Sequence, residues 1–198
     1  MTERLPLPPE WGMLYALPMP DAPKKEHHAI AHGLLQEKLP EYAAACGIAV
    51  RSTSLRFGKN GKPSFAEHPE IRFNLSHCEG LAVCLFSPHE CGADCESIRK
   101  YKRRTAERVC SAQELEALEH ADDPDFLFTR LWTLKEAYVK AIGIGISFPM
   151  REASFAFDGD GILSSREDAS FSQFLYREHI VSVCVLGKMP EQRVITIE

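Results

Sequence analysis

The chain has 198 residues, of which 44% are hydrophobic and 26% are charged, and its formal net charge is −5. These values are typical of a globular protein with one substantial core or two small domains, and the negative charge disfavours a nucleic-acid-binding protein. No apolar run approaches the length of a membrane span, and seven cysteines without a secretory signal indicate a reducing compartment. We therefore expect a cytoplasmic protein that binds neither nucleic acid nor membrane.

The first part of the chain predicts a strand followed by a helix. The strand covers residues 11–17. Asp21 and Pro23 signal a helix start, and an apolar stripe predicts a helix over residues 24–46. Pro40 is expected to end or kink this helix, because proline has no amide hydrogen to donate. The stripe consists of Ile30, Leu34, Leu35 and Leu39.

Three more strands are predicted before the middle of the chain. One covers residues 48–57, and a loop rich in glycine and lysine follows at residues 58–63. The other two, at residues 71–76 and 81–87, are separated by the short sequence HCEG, which favours a hairpin. The segment GADCES, residues 92–97, comes next.

The second part of the chain predicts helices followed by strands. Ser111 and Glu114 have the spacing of a capping box, which predicts a helix start. The clearest helical pattern covers residues 123–143 and has a buried stripe, and short antiparallel strands are predicted after it. The stripe consists of Leu131, Leu134, Tyr138 and Ala141, and the strands cover residues 152–157, 170–176, 179–186 and 193–197.

This order of elements predicts an α+β fold of two halves, each with a helix packed on an antiparallel sheet. The division is expected near Gly92, with an N-terminal half at residues 1–91 and a C-terminal half at residues 92–198. The sequence contains no internal repeat strong enough to prove a duplication.

The segment GADCES places two carboxylates one residue apart. Because side chains alternate along a strand, Asp94 and Glu96 would project from one face and Cys95 from the other. Two like charges on one face repel each other, and either a solvated turn or a bound cation would offset that repulsion.

The main helix carries a third carboxylate. Trp132, Glu136 and Lys140 are spaced four residues apart and share one face, roughly opposite the buried stripe. Taken alone, this pattern is that of a surface helix with one Glu–Lys pair. Together with Asp94 and Glu96 it provides three carboxylates, a ligand set that suits Mg²⁺. Lys140 could then contact a phosphate oxygen held by the same ion.

Each of the other candidate phosphate contacts, considered alone, is explained more simply without a role in binding. Lys59 and Lys62 lie in the glycine-rich loop and could be solvated, and His77 could be a turn histidine bonded to backbone. The sequence RKYKRR at residues 99–104, together with Arg108, is either a solvated helix face or a docking patch for an acidic partner.

Four neighbouring cysteines raise a zinc site as an alternative. Cys78, Cys84, Cys91 and Cys95 are close in sequence, but none of them forms a C-x-x-C pair. Cys84 lies inside an apolar strand. Buried thiols that pack as small hydrophobic side chains are therefore the preferred interpretation.

Four motifs, in order, are similar to those of the Sfp-type 4′-phosphopantetheinyl transferases. They are GKP (61–63), FNLSH (73–77), GADCE (92–96) and WTLKEAYVKAIGIGIS (132–147). In that family G-x-D-x-E and W-x-x-K-E-x-x-x-K stand a few dozen residues apart, as they do here. Residues 24–39 resemble the family's N-terminal helix. The resemblance implies two pseudo-symmetric halves with a coenzyme A site in the cleft between them.

The resemblance also implies a reaction, in which the phosphopantetheine arm of coenzyme A is transferred to a serine of an acyl or peptidyl carrier protein. Adenosine 3′,5′-bisphosphate is released. By motif position, Asp94, Glu96 and Glu136 would bind Mg²⁺ with the diphosphate. Lys140 would contact the α-phosphate, and Lys135 would lie near it. The remaining expected contacts are those of Ser76 and His77 with the diphosphate or 3′-phosphate, and those of Gly61, Lys62 and Pro63 with the adenosine end.

Catalysis is expected from Asp94, Glu136 and Lys140. Glu136 is also a candidate general base for the serine proton, directly or through a metal-bound water, so its roles as ligand and as base both stay open. In the family, the segment after G-x-D-x-E faces the acidic carrier protein, so the cations between Arg99 and Arg104 could steer that encounter.

Two features depart from the family pattern. Cys95 stands where the family commonly has an aliphatic residue or an acidic ligand, and we expect it to pack rather than ligate. The chain is short ahead of Lys24, which leaves the 3′-phosphate contacts open, with Lys24 and Lys25 as candidates.

The mid-chain position of the acidic motif favours a monomer over the short trimeric type of phosphopantetheinyl transferase. The alternative function is a non-catalytic carrier-protein or nucleotide binder of the same fold.

Overall fold

The computed structural model describes residues 1–19, 21–188 and 193–197, except for the side chain of Ile146. Its first part contains β1 (Glu3–Leu5), β2 (Met13–Met19), α1 (His27–Ala45), β3 (Leu55–Phe57), β4 (Pro63–Phe65), β5 (Arg72–Cys78), β6 (Gly80–Ser87) and β7 (Cys91–Ser97). Its second part contains α2 (Arg103–Val109), α3 (Ala112–His120), α4 (Pro124–Ile142), β8 (Phe155–Asp158), β9 (Gly161–Ser164), β10 (Ala169–Tyr176), β11 (His179–Leu186) and β12 (Val194–Ile197).

Two four-stranded sheets form the body of the protein. One has the order β1-β2-β6-β5 and the other has the order β12-β10-β11-β7, while β3-β4 and β8-β9 form small hairpins. The chain builds each large sheet in the same order: a strand, a helix that packs on the sheet, and then a hairpin. The elements are β2-α1-β5-β6 in the first half and β7-α4-β10-β11 in the second. In both sheets the second hairpin strand lies in the middle. This shared topology confirms the predicted α+β fold of two pseudo-symmetric halves.

The two sheets share one hydrophobic core and carry one long helix each. Alternate side chains of β6 and β7, including Val83, Leu85, Cys91 and Ala93, lie in the shared core. The opposite face of the first sheet packs on α1, and that of the second sheet packs on α4. The predicted stripe of α4 is confirmed, because all four of its side chains are buried. None of the described helices is long and apolar enough to cross a bilayer.

Gly92 allows α4 to lie directly against β7. A β-carbon at this position would be 2.0 Å from the carbonyl oxygen of Ala137 and 2.5 Å from the amide nitrogen of Ala141. Both of these atoms belong to the backbone of α4 and cannot move aside, so only glycine fits at this point of β7. The close approach places the next residues of β7 beside the last turns of α4.

Several predicted elements differ from the structure. The helix α1 continues through Pro40, because Leu39 and Tyr42 on either side of it are buried and hold the helix on its sheet. It begins at His27, after a 3₁₀ turn over Lys24–Glu26.

The strand predicted over residues 48–57 is wrong except for Leu55–Phe57. Here the Ser52 hydroxyl accepts a hydrogen bond from the Ser54 amide at 3.1 Å, a local turn that competes with strand pairing. β12 was predicted to be antiparallel but pairs parallel with β10. The proposed boundary at residues 91 and 92 falls at the start of β7.

Candidate active site

Side chains of β5 connect the two halves at the start of the site. The Asn74 Oδ1 atom accepts a hydrogen bond from the Ala93 amide at 2.9 Å, and the Ser76 hydroxyl accepts one from the Cys95 amide at 3.3 Å. These contacts attach β5 of the first sheet to β7 of the second without a backbone ladder. Asn74 was not predicted to have this role, because the partner strand lies some distance along the chain.

Strand alternation directs the acidic side chains of β7 as the sequence predicts. Ala93 and Cys95 lie in the core shared by the sheets, so the Cys95 thiol packs there as expected. Asp94 and Glu96 lie on the other face of the strand, where α4 packs.

Asp94, Ser76 and Lys140 form one hydrogen-bonded cluster. The Lys140 Nζ atom is 2.7 Å from Asp94 Oδ1, 2.9 Å from Ser76 Oγ and 3.1 Å from the Ala93 carbonyl oxygen. The Ser76 hydroxyl donates to Asp94 Oδ1 at 2.9 Å. The structure therefore brings together a strand of the first sheet, a strand of the second sheet and the last turn of α4.

One oxygen of this cluster has no partner. Asp94 Oδ2 is buried and accepts no hydrogen bond within residues 1–19, 21–188 and 193–197. A buried carboxylate oxygen without a partner is costly and is uncommon in folded proteins. It is also an oxygen ligand of the kind that a hard divalent cation prefers, so Asp94 fits a Mg²⁺ site.

The charge of Asp94 affects the pKa values of both Glu96 and Glu136. Burial and the Asp94 charge raise the pKa of Glu96 to about 7, although Arg99, which forms an ion pair with Glu96, opposes that rise. Burial and the Asp94 charge also raise the pKa of Glu136. Burial acts against charged Lys140, but Asp94 outweighs burial and raises its pKa. The site is thus one electrostatically coupled group of acids around a lysine.

The three carboxylates do not yet surround a common point. Among the described residues, no group of three or more His, Cys, Asp or Glu side chains is arranged to hold a metal ion. In this conformation cationic side chains contact two of the acids, Lys140 on Asp94 and Arg99 on Glu96. The donor types and the unpartnered oxygen fit Mg²⁺, and closing the ligand set requires these side chains to move.

The GKP loop, residues 61–63, packs against the C-terminal end of α4 beside this cluster. Its residues and α4 line a pocket of about 250 Å³ that includes Gly61, Pro63, Glu136 and Lys140. The Lys62 ammonium lies 2.6 Å from the Ala141 carbonyl oxygen and 2.8 Å from Glu90. Lys62 therefore lines the pocket with its stem while its charge is paired at the C-terminal end of α4.

His77 lies in a second, more basic cavity. It is exposed on β5, with its ring 5.9 Å from that of His27 and 6.3 Å from that of His28. Burial, His27 and His28 lower its pKa. The cavity is about 600 Å³ and is also lined by Lys24, Arg99 and Glu96, so the predicted candidate Lys24 does lie near His77. The histidines of α1 were not predicted to take part.

Lys135 is a predicted site residue that the structure places elsewhere. Its side chain is fully buried, and its ammonium is 2.8 Å from Glu114 Oε2 and 3.1 Å from the Met150 carbonyl oxygen, with a further bond to the Ala153 carbonyl oxygen. These partners belong to the interior of the second half. We therefore assign Lys135 to the fold and not to the pocket.

The basic cluster borders an aromatic groove beside Glu96. Tyr101, Phe128 and Trp132 line the groove, which has a volume of about 320 Å³, and Lys100 and Lys102 also lie along it. Both lysines are exposed. Arg103, by contrast, is paired with Glu107 and Glu119 at 2.9 Å each. Besides Arg99, which is paired with Glu96, the cations of this cluster that line the groove are therefore the two lysines and not Arg103.

Comparison with known proteins identifies the family. Residues 90–196 match the family model of the 4′-phosphopantetheinyl transferase superfamily. The chain is 31% identical over 143 residues to a 4′-phosphopantetheinyl transferase of Bacillus subtilis, across 70% of this chain and 64% of that protein. It is 31% identical over 106 residues to the 4′-phosphopantetheinyl transferase Sfp of Bacillus subtilis (strain 168), across 52% of this chain and 47% of that protein.

A relative from Thraustochytrium is also similar. The chain is 44% identical over 194 residues to a phosphopantetheinyl transferase of Thraustochytrium, across 80% of this chain and 64% of that protein. The chain thus spans between 47% and 64% of the length of these three relatives. Because the family model covers more than half of the chain, and because its motifs form the coupled site, the protein belongs to the 4′-phosphopantetheinyl transferase superfamily.

Proposed function

We propose that this protein transfers the 4′-phosphopantetheine arm of coenzyme A to a serine of an acyl or peptidyl carrier protein and releases adenosine 3′,5′-bisphosphate. The observation that carries the proposal is the Asp94–Ser76–Lys140 cluster, with its unpartnered Asp94 oxygen, at the junction of the two sheets. It occurs in a chain whose relatives are named phosphopantetheinyl transferases.

We propose Asp94, Glu96 and Glu136 as the ligands of Mg²⁺. The support is the buried free oxygen of Asp94 and the raised pKa values of both glutamates, which are caused first by burial and then by the Asp94 charge. When bound, the ion would supply positive charge to the diphosphate oxygens and the leaving group. As the diphosphate enters, Lys140 would leave Asp94 and Arg99 would leave Glu96. Both cations would then contact phosphate oxygens, and the carboxylates would bind the ion.

The other side chains would bind and orient coenzyme A. The pocket lined by Gly61, Pro63 and the stem of Lys62 suits the adenosine end. Ser76 and His77 lie on β5 between this pocket and the basic cavity, so we propose that they contact the diphosphate and the 3′-phosphate. Lys24 and Arg99, which line that cavity, would provide positive charge for the 3′-phosphate.

Lys140 and Glu136 would act in the transfer itself. The Lys140 ammonium, already among oxygen atoms at 2.7–3.1 Å, would neutralise charge that develops on the α-phosphate. Burial and the Asp94 charge raise the pKa of Glu136, and its side chain lines the pocket beside Lys140, where a positioned carboxylate can take up a proton. We propose Glu136 as the acceptor of the serine proton as well as a metal ligand.

We further propose that the two halves, residues 1–91 and 92–198, act within one monomer. Ser76 of the first half and Asp94 and Lys140 of the second half are already in contact within a single chain. All seven cysteines are free thiols, which supports the proposal of a reducing, cytoplasmic location.

The function is tested with a panel of unmodified carrier proteins from fatty-acid, polyketide and peptide synthesis. Each carrier is incubated with the protein, coenzyme A and Mg²⁺, and its intact mass is measured. We expect a gain equal to one phosphopantetheine arm on at least one carrier, lost with EDTA and lost when the carrier serine is changed to alanine. Binding of carriers without any mass gain would instead support the non-catalytic alternative.

Charge reversal at Lys100 and Lys102 is expected to weaken recognition of the carrier. Both side chains are exposed along the groove next to Glu96, where an acidic carrier would approach. Steady-state kinetics of Lys100→Glu/Lys102→Glu should show KM for the carrier raised about tenfold, with KM for coenzyme A unchanged. Arg51→Glu, at an exposed site after α1, is the control for reversing one charge away from the groove. Equal increases in both KM values would contradict a docking role.

A further inference from the structure

Two thiols and an imidazole meet where the two halves join. Cys78 ends β5, Cys95 lies in β7 and His179 begins β11. Cys95 is buried in the core shared by the sheets, and the half-buried Cys78 packs against that core. The bond between Ser76 and the Cys95 amide, at 3.3 Å, holds the two cysteine-bearing strands together. The Cys95 Sγ atom lies 3.9 Å from the Leu81 carbonyl oxygen, and the Cys95 thiol is the group that most lowers the pKa of Cys78.

The imidazole beside them is held in one tautomer. His179 Nε2 lies 2.8 Å from the Glu79 carbonyl oxygen, and Cys78 Sγ lies 3.7 Å from the same oxygen. A carbonyl oxygen only accepts hydrogen bonds, so Nε2 carries the hydrogen and Nδ1 is the nitrogen that can take up a proton. Within the described part of the chain Nδ1 is buried and has no hydrogen-bond partner. The cluster therefore contains an unused base next to a thiol.

The two thiols differ in chemical character. The neighbouring Cys95 thiol, opposed by burial and assisted by His179, lowers the pKa of Cys78 to about 6, with Asp94 acting in the opposite direction. The neighbouring Cys78 sulfur is the largest cause of a raised pKa of His179, and burial opposes it. Cys78 lines a cavity and is thus the nucleophilic sulfur, whereas Cys95 is buried away from it.

Small molecules in solution can reach Cys78. It lines the cavity of about 600 Å³ that also contains Glu96, His77 and Arg99. Cys95, in contrast, is only 1% exposed. One accessible sulfur in contact with one inaccessible sulfur is the arrangement of an attacking thiol with its resolving partner.

We propose that Cys78 is a site of oxidation by hydroperoxides and that Cys95 resolves it as a disulfide. The Cys78 sulfur attacks the O–O bond of hydrogen peroxide, its proton passes through His179 Nδ1 to the departing oxygen, and one water leaves. The sulfur is oxidised to a sulfenic acid as the peroxide is reduced by two electrons. The Cys95 thiol then displaces the sulfenic hydroxyl, which releases a second water and forms the Cys78–Cys95 bond across β5 and β7.

The test is the identity of the linked peptides after mild oxidation of the full chain. The protein is treated with a few equivalents of hydrogen peroxide, alkylated, and digested with trypsin and a glutamate-specific protease, because trypsin alone leaves Cys78, Cys84, Cys91 and Cys95 in one peptide. Combined cleavage separates residues 73–79 from residues 91–96. We expect these two peptides to be joined by a disulfide that a reductant cleaves. The link should persist in Cys91→Ser and disappear in Cys95→Ser.

Two controls separate this chemistry from general thiol oxidation. In Cys95→Ser the Cys78 sulfenic acid should persist and be trapped by dimedone, and His179→Gln should slow oxidation of Cys78 roughly tenfold. Cys46, which is exposed at the end of α1, should react at the same rate in every variant. Oxidation of Cys46 before Cys78, or conversion of Cys78 to a sulfinic acid without a link to residues 91–96, would overturn the proposal. The readout needs no transferase activity, so it stands independently of the proposed function.

Discussion

Changing Asp94 to asparagine is expected to lower kcat for phosphopantetheine transfer by about 10³-fold or more. The amide keeps the shape of the side chain but removes the charge that Lys140 contacts at 2.7 Å, and it removes the anionic oxygen that has no partner in the structure. Both the proposed metal site and the position of Lys140 depend on that charge. The measurement is single-turnover and steady-state transfer at saturating coenzyme A and Mg²⁺.

The control for this variant is a carboxylate of similar size outside the site. Asp158→Asn changes an exposed acid on β8 and should leave turnover unchanged. Thermal unfolding should show Asp94→Asn folded, with Tm changed by only a few degrees. Turnover of Asp94→Asn within a few-fold of the natural protein would remove Asp94 from the catalytic site.

Changing Lys135 to methionine is expected to destabilise the protein by about 3–5 kcal/mol. The Lys135 ammonium and the Glu114 carboxylate are 2.8 Å apart with side-chain exposures of 0% and 1%. Removing the lysine leaves a buried carboxylate unpaired, and such a loss is a large part of the total stability of a domain. The measurement is the free energy of unfolding from urea denaturation followed by circular dichroism.

The matched variants separate loss of fold from loss of chemistry. Glu114→Gln added to Lys135→Met removes the unpaired charge and should restore part of the lost stability. Lys140→Met, in the same helix, should lose less stability than Lys135→Met, because the Lys140 side chain is 28% exposed, and it should lose much more of kcat. A Lys135→Met protein that is as stable as the natural one but inactive would return Lys135 to the site, as its motif first suggested.

Local patterns predicted much of this fold because the residues that determine them are close in sequence. The hairpin of β5 and β6, the capping box of Ser111 and Glu114, and the buried stripe of α4 are all present. Strand alternation likewise predicted that Asp94 and Glu96 share a face and that Cys95 packs. The helix does not end at Pro40, one of the two predicted outcomes, because burial of its neighbours overrides local preference.

The sequence alone could have shown that the two motif lysines, Lys135 and Lys140, lie on different faces of the helix. Lys135 follows Leu131 by four residues and precedes Tyr138 by three, so it belongs to the buried stripe, whereas Lys140 does not. The partner of Lys135 could not be predicted, because Glu114 comes from another helix. Family motifs named both lysines without indicating that one serves the core and the other the pocket.

Local sequence patterns could not predict contacts between segments that are far apart in the chain. Ser76 and Lys140 are 64 positions apart and meet at 2.9 Å, and Lys62 meets the Ala141 carbonyl oxygen from 79 positions away. Nothing in the GKP loop indicates that it closes the end of α4. Gly92 did give a signal, since a glycine inside a strand often marks a close backbone approach, and here it admits α4.

The most direct measurement is a crystal structure of the protein with coenzyme A and Mn²⁺ in place of Mg²⁺, with the ion located by its anomalous signal. We predict one strong peak bonded to Asp94 Oδ2, to Glu96, to Glu136 and to the diphosphate, with Lys140 on the α-phosphate. Coenzyme A bound with its diphosphate away from Asp94, or a manganese peak that none of these three carboxylates contacts, would contradict the proposed site.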